Sequence, residues 1–202
     1  MNTLTVIPTG TANLASVIAA FRRLGTDPVI ARDVSVVATS DRVVVPGVGS
    51  FGAAMAEIDR LGMRGALRRR LTEGRPTLAI CVGMQLLAAA SEESAGSEGL
   101  GHVSGPVARF PDSVRVPQLG WNRVSAGPGC RILRDGWAYF ANSYRIEAVP
   151  EGWQAAVADH GGMFVAALER GNVLACQFHP ELSGRWGRGI LDAWLNATGR
   201  AG

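Results

Sequence analysis

Thr77-Leu78-Ala79-Ile80-Cys81-Val82-Gly83-Met84-Gln85-Leu86-Leu87 decides the fold. An unbroken apolar run enters a cysteine, and a glycine follows two positions later. Such a run reads as a strand buried on both faces. From Gly83 to about Ala90 the chain reads as a helix, so Cys81 falls on a sharp strand-to-helix turn. That turn lifts a side chain clear of the sheet. The helix N-terminus beneath it offers free N–H groups and positive potential, which favour a thiolate. Taken alone, a cysteine in an apolar run also fits a buried structural thiol.

On either side of this stretch the elements alternate. Leu4–Ile7 reads as a short strand. Asn13 caps a helix whose Leu14, Val17, Ile18, Phe21 and Leu24 recur at helical spacing, and Gly25 ends it. Strands are expected at Pro28–Ala31 and Arg42–Val45, the second running into the loop Pro46-Gly47-Val48-Gly49. Helices follow at Phe51–Ile58 and Arg64–Thr72. This order predicts an α/β fold: a doubly wound, mostly parallel central sheet flanked by helices. Ser91–Gly101 is small, acidic and glycine-rich, hence a loop. Beyond it the pattern turns strand-rich: Val107–Phe110, Gly120–Val124, Trp137–Tyr144, Gln154–Asp159, Phe164–Arg170 and Val173–Gln177. Asp159-His160-Gly161-Gly162 is a hairpin signal, and Gly187–Asn196 reads as a closing helix. No repeat or linker interrupts the chain, so one domain over 1–202 is expected. In open α/β sheets, sites form at the carboxyl ends of strands, where Cys81 and the loop after Val45 both fall.

A partner for Cys81 lies far downstream in Ala175-Cys176-Gln177-Phe178-His179-Pro180-Glu181. If this segment is extended, His179 and Glu181 share a face. A histidine that exchanges a proton with a thiol needs a carboxylate to fix its tautomer and steady the imidazolium, and Glu181 suits that role. Alone, the segment could equally be an exposed turn at a strand end. Paired with the elbow, it points to a catalytic triad of Cys81, His179 and Glu181. The backbone N–H of Val82, next after the nucleophile, is placed to stabilise an oxyanion.

Cys-x-Gly-x-Gln on an elbow, followed by Gln-Phe-His-Pro-Glu, resembles the class I (triad) glutamine amidotransferases. Pro46–Gly52, Pro117-Gln118-Leu119-Gly120-Trp121-Asn122, Tyr139–Tyr144 and Asn13-Leu14-x-Ser16-Val17 resemble segments of one branch, in order and over essentially the whole chain. In that branch a glutaminase passes ammonia to a (β/α)8-barrel cyclase of histidine biosynthesis. The resemblance implies the flavodoxin-like fold of these enzymes, L-glutamine as substrate, a heterodimer with the cyclase, and no cofactor or metal. It implies a second oxyanion donor at Val48 after a peptide flip, which Gly47 and Gly49 make sterically cheap. It also implies substrate contacts at Gly47, Gly49, Gln85, Asn142, Ser143 and Tyr144, and a partner surface at Asn13, Ser16, Trp121 and Tyr139.

The chain departs from this pattern in places. Leu182 stands where relatives have an interface lysine, and Asn142 where they have a histidine. Pro8-Thr9-Gly10 replaces Asp-Tyr-Gly, and Ala79-Ile80 replaces the usual glycine before the nucleophile. A paralogous glutaminase serving another synthase, a non-catalytic regulatory module, or a cysteine hydrolase without an acceptor partner are the alternatives. The intact triad argues against the second, and the Pro-Gln-x-Gly-Trp-Asn segment against the third.

Bulk properties agree with this reading. The 202 residues are 47% apolar and include 26 glycines, which suits one compact α/β core. No apolar run has membrane-spanning length and no secretory signal is evident. Three cysteines at 81, 130 and 176 form neither a CxxC pair nor a disulfide ladder, so a reducing cytoplasm is expected. The net charge is +3 and every basic residue is arginine. The arginines between 64 and 75 alternate with Leu67 and Leu71, a solvated helix face without the aromatic residues that nucleic-acid binding uses.

Overall fold

The computed structural model describes residues 3–10 and 13–199. Its first half is a parallel β-α alternation: β1 (Leu4–Val6), α1 (Leu14–Arg22), β2 (Val29–Ile30), α2 (Val34–Thr39), β3 (Arg42–Gly47), α3 (Phe51–Arg60), α4 (Arg64–Thr72), β4 (Thr77–Cys81) and α5 (Val82–Gln85). The second half supplies β5 (Ala108–Arg109), β6 (Gln118–Ala126), β7 (Gly136–Asn142), β8 (Tyr144–Arg145), β9 (Gln154–Asp159), β10 (Met163–Arg170), β11 (Val173–Cys176) and α6 (Gly184–Thr198).

Nine strands form one sheet in the order β2-β1-β3-β4-β11-β10-β9-β6-β7. From β2 to β11 neighbours run parallel, and from β11 to β7 they run antiparallel. The strand-rich second half therefore extends the central sheet, with β5 and β8 paired apart from it. β3 and β4 are buried along their whole length, as expected of strands covered on both faces. The chain steps from β1 one way to β2 and then back across to β3. Right-handed crossovers accordingly place α1 and α2 on opposite faces. On one face Phe21 of α1 meets Trp194 of α6, ring centroids 6.3 Å apart. On the other, α4 reaches α2 through Arg70.

Arg70 is fully buried without a carboxylate partner. Its guanidinium donates to the carbonyls of Val37, Ser40, Asp41 and Pro76, joining α2, the start of β3 and the approach to β4. Burial, reinforced by the nearby Arg75 charge, lowers its pKa to about 10. Arg42 at the start of β3 likewise donates to Thr198 Oγ1 and the Leu195 carbonyl, satisfying acceptors at the last turn of α6.

Three expectations change. The helix expected over 83–90 ends at Gln85. Residues 82–88 are buried all round, and the carbonyls of Leu86, Leu87, Ala88 and Ala89 accept from the N–H groups of Leu100, His102, Gly101 and Gly99. The glycine-rich loop thus takes acceptors that a longer helix would use. α2 has no counterpart in the sequence reading: its β-branched run hid it, although Asp33 caps it by accepting from Ser35 and Val36 N–H. Finally, the strand expected over Trp137–Tyr144 breaks at Ser143, after which β8 pairs with β5.

Candidate functional site

β3, β4 and β11 are adjacent and parallel, so their carboxyl ends lie side by side. Gly47 pairs with Cys81, and Cys176 with Ile80. The glycine loop, the elbow and the histidine segment leave the sheet at the same edge.

Cys81 has φ 54° and ψ −113°, and it is the sole non-glycine residue with positive φ among the described residues. Gly83 permits the turn, because a Cβ there would lie 1.9 Å from the Val45 carbonyl oxygen. Gly47 is small for a similar reason: its Cβ would meet Gly83 N and Val82 Cβ, each at 2.8 Å. Gly49, at φ +88°, is the loop glycine in the left-handed region. Thr9 ties the preceding strand to this loop by donating from Oγ1 to the Pro46 carbonyl at 2.8 Å.

His179 and Glu181 are not on an extended segment as expected. Pro180–Leu182 forms a 3-10 turn, with Pro180 at its start and His179 extended before it. The turn carries Glu181 back under the ring, and His179 Nδ1 lies 2.9 Å from Glu181 Oε1. Both side chains are buried, at 6% and 4% exposure. A carboxylate can only accept, so Nδ1 holds the hydrogen and Nε2 is left for the sulfur. Burial pulls the His179 pKa down, but hydrogen bonds with Cys81 and Glu181 and their negative charges outweigh it, raising it to about 10. The backbone N–H of His179 donates to the Tyr139 carbonyl at 2.9 Å, fixing the ring to β7. Among the residues read as catalytic, the fold brings all three together.

Val82 opens α5, so its N–H is one of the donors at a helix start that have no partner within the helix. Val48 lines a small cavity with Asn13, Val17, Pro46, Gly47, Ile80, His179 and Glu181. On the other flank, the Tyr144 carbonyl accepts from Gln85 Nε2 at 3.1 Å and Asn142 Nδ2 at 3.0 Å, while the Ser143 carbonyl accepts from Phe110. Asn142 Oδ1 and Gln118 Oε1 are buried without partners, and the two residues face each other across β6 and β7. Buried amide oxygens left unpaired are suited to a donor group that arrives with a ligand.

The residues read as partner-facing stand near this edge. Asn13 caps α1 and is exposed; Ser16 is half-buried. Trp121 is 55% exposed and lies edge-on to the half-buried Tyr139, ring centroids 6.2 Å apart. Leu119 at 66% and Leu182 at 44% exposure widen the apolar surface.

Two contributions escaped the sequence reading. Gln177, fully buried, contacts both Gln85 and Cys81. Glu93 and Ser94 accept from the N–H groups of Phe51 and Gly52 at 2.6 and 3.0 Å, stitching the loop after α5 to the start of α3. The only signal for the latter was the polar Ser91-Glu92-Glu93-Ser94 run beside an otherwise apolar stretch. Among the described residues, no helix is long and apolar enough to cross a membrane.

Comparison with known proteins places this geometry in a family context. The glutamine amidotransferase class-I family matches residues 6–194. The imidazole glycerol phosphate synthase subunit HisH of Symbiobacterium thermophilum is 39% identical over 198 residues, covering 96% of this chain and 93% of the relative. The chloroplastic imidazole glycerol phosphate synthase hisHF of Arabidopsis thaliana is 38% identical over 202 residues. That match covers 96% of this chain but 34% of the plant protein. A crystal structure of glutamine amidotransferase superposes with a TM-score of 0.79 at 21% identity, covering 98% of this chain and all of the other, which speaks for the fold alone.

Proposed function

This chain belongs to the class-I glutamine amidotransferase family and, within it, to the imidazole glycerol phosphate synthase HisH subunits, and we propose from that premise that it hydrolyses L-glutamine for a cyclase partner. The observation that carries the chemistry is the buried Cys81–His179–Glu181 arrangement at the carboxyl edge of β4 and β11.

The Cys81 thiolate attacks the side-chain amide carbon of glutamine, forming a C–S bond as the carbonyl electron pair moves to oxygen. The N–H of Val82 and, after a peptide flip, that of Val48 receive that oxyanion. As the tetrahedral intermediate collapses, the C–N bond breaks and His179 Nε2 gives its proton to the departing nitrogen, releasing ammonia. Water then attacks the thioester while neutral His179 takes its proton. The C–S bond breaks, and glutamate leaves. Gly47, Gly49, Gln85, Asn142, Ser143 and Tyr144 hold the substrate. The unpartnered oxygen of Asn142 is an acceptor for its ammonium group.

Ammonia released into water would be protonated and lost as a nucleophile. The chain therefore acts as one glutaminase domain over 1–202 in a cytoplasmic heterodimer. A (β/α)8-barrel cyclase receives the ammonia and makes imidazole glycerol phosphate and an aminoimidazole carboxamide ribotide in histidine biosynthesis. Asn13, Ser16, Trp121 and Tyr139 form the docking surface. In the plant relative named as the whole synthase, the matched region is about a third of the chain. The test is glutamate release with and without purified cyclase and its phosphorylated ligand. Stimulation that vanishes in Cys81→Ala is expected. Equal rates with and without the cyclase would refute coupling.

A pH profile follows from the raised His179 pKa. Relative to an ordinary value of 6.5, the folded value near 10 means that protonation of His179 stabilises the fold fully below about pH 6.5, and that this support is lost as pH rises through about 10. The imidazolium is also the acid for ammonia departure, so the alkaline limb of kcat/KM is expected near the same pH. Glu181→Gln removes a charge and weakens a hydrogen bond that both raise the value, so the limb should move toward neutrality. An unmoved alkaline limb in that variant would show that His179 does not control it.

A further inference from the structure

Gln177 has no task in the chemistry above. It is fully buried between β11 and His179, its backbone N–H held by the Ala166 carbonyl at 2.8 Å. A buried amide side chain costs free energy unless its polar atoms are paired, and here each one is. Gln177 Oε1 accepts from Gln85 Nε2 at 3.0 Å, and Gln177 Nε2 donates to Cys81 Sγ at 3.8 Å. The other Gln85 Nε2 hydrogen goes to the Tyr144 carbonyl.

This chain of contacts has one direction. The Tyr144 carbonyl can only accept, so it fixes which end of the Gln85 amide faces it. The second Gln85 N–H then requires an oxygen opposite, which fixes the Gln177 carbonyl end. The Gln177 NH2 is left facing sulfur. Turning either amide over would set N–H against N–H or oxygen against oxygen.

Among the described residues, the other side chain that bonds the sulfur is His179. The Ala141 carbonyl, 4.0 Å away, accepts from a thiol and opposes a thiolate. His179, with Glu181 behind it, brings the ionisable groups from the turn after β11, while β3 and β7 present backbone at Gly47 and Ala141. His179 also gives up its proton during the reaction. A neutral donor that stays in place is therefore distinct from the triad.

We propose that Gln177 is a sulfur-holding donor of the catalytic site, oriented through Gln85 by the Tyr144 carbonyl, that fixes the position of the Cys81 sulfur and stabilises it as the thiolate. Because Gln85 and Tyr144 belong to the proposed substrate-binding set, the same chain connects substrate contacts to the nucleophile. The proposal rests on Cys81 being the nucleophile of the proposed glutaminase.

The test is alkylation of the full chain by iodoacetamide across a pH series without glutamine, read on the Cys81 peptide by mass spectrometry, so that Cys130 and Cys176 do not interfere. A hydrogen bond to a charged group is worth enough to expect that Gln177→Met slows neutral-pH alkylation about tenfold and moves the alkylation profile alkaline by about one unit. kcat should fall by a similar factor and KM by less. Gln177→Asn keeps a polar amide but draws it back by one methylene, and Gln85→Met removes the orienting N–H. Both should shift the profile the same way by less. If folded Gln177→Met or Gln177→Asn gives the native profile, the proposal is overturned. If native protein is alkylated at Cys81 yet releases no glutamate even with the cyclase and its phosphorylated ligand present, the glutaminase reading fails instead, and the alkylation series still decides the role of Gln177.

Discussion

Cys81→Gly is expected to abolish glutamine hydrolysis and, measured against Cys81→Ala, to stabilise the fold by about 1 kcal/mol. The two effects share one cause. At φ 54° and ψ −113° a Cβ is crowded by its own backbone, a conformation that glycine adopts freely. Holding such a residue costs of order 1–3 kcal/mol, partly offset in glycine by the larger entropy of its unfolded chain. Alanine keeps the Cβ, and with it the strain, while removing the sulfur, so the Gly–Ala difference isolates the backbone contribution. For a chain of this size about 1 kcal/mol corresponds to a difference of roughly 2–4 °C in Tm. Loss of the nucleophile should lower the rate by at least about 10⁴-fold in both variants. Glutamate release and thermal unfolding of the three proteins decide the matter. A glycine variant no more stable than the alanine variant would mean that no strain is stored at the elbow.

The same elbow marks the limit of what the sequence could tell. The run from Thr77 to Gly83 announced its strand, its turn and its nucleophile because those depend on neighbours in the chain. The closeness of His179 depends on something else: β11 must pair in parallel with β4, although β10, β9, β6 and β7 follow it on the antiparallel side. Apolar periodicity specifies which residues are buried, but not which strand lies beside which. There the complementary chemistry of a thiol, an imidazole and a carboxylate, together with the family resemblance, connects Cys81 with His179, and the spacing does not. Gln177 stands in the same motif with no signal of its own, since its contacts exist only when Gln85 and Cys81 converge from another strand and turn. The early end of α5 is hidden from the sequence for a related reason. Leu86, Leu87 and Ala88 fit a helix locally, and their carbonyls were claimed by a loop beyond them. The exposure of Trp121 follows from its alternation along β6 beside the outermost strand.

Gly83→Ala is expected to lower glutamine hydrolysis by about 10²-fold or more without touching any group that contacts substrate. The added Cβ would fall 1.9 Å from the Val45 carbonyl oxygen and 2.9 Å from its carbon. Val45 lies in the interior of β3, paired with Ala79 of β4 and following Val44, which pairs with β1, so it cannot retreat alone. α5 has to move instead, by an ångström or so, and Val82 and Cys81 precede Gly83 directly. The shift therefore falls on the nucleophile and the oxyanion donor together, while His179 and Glu181, carried by the turn after β11, stay behind. Misplacement of that size is enough for the predicted rate loss, and the overpacking should destabilise the fold by about 1–3 kcal/mol. Gly65→Ala is the matched control. Gly65 is exposed within α4 and nothing lies within 4 Å of the position its methyl would take, so alanine there should raise stability by about 0.5–1 kcal/mol and leave turnover unchanged. Steady-state kinetics with urea unfolding of both variants separates the outcomes. Native turnover in Gly83→Ala would show that β3 and the elbow can part without cost, and that the close approach of Gly83 to Val45 does not set the position of the sulfur.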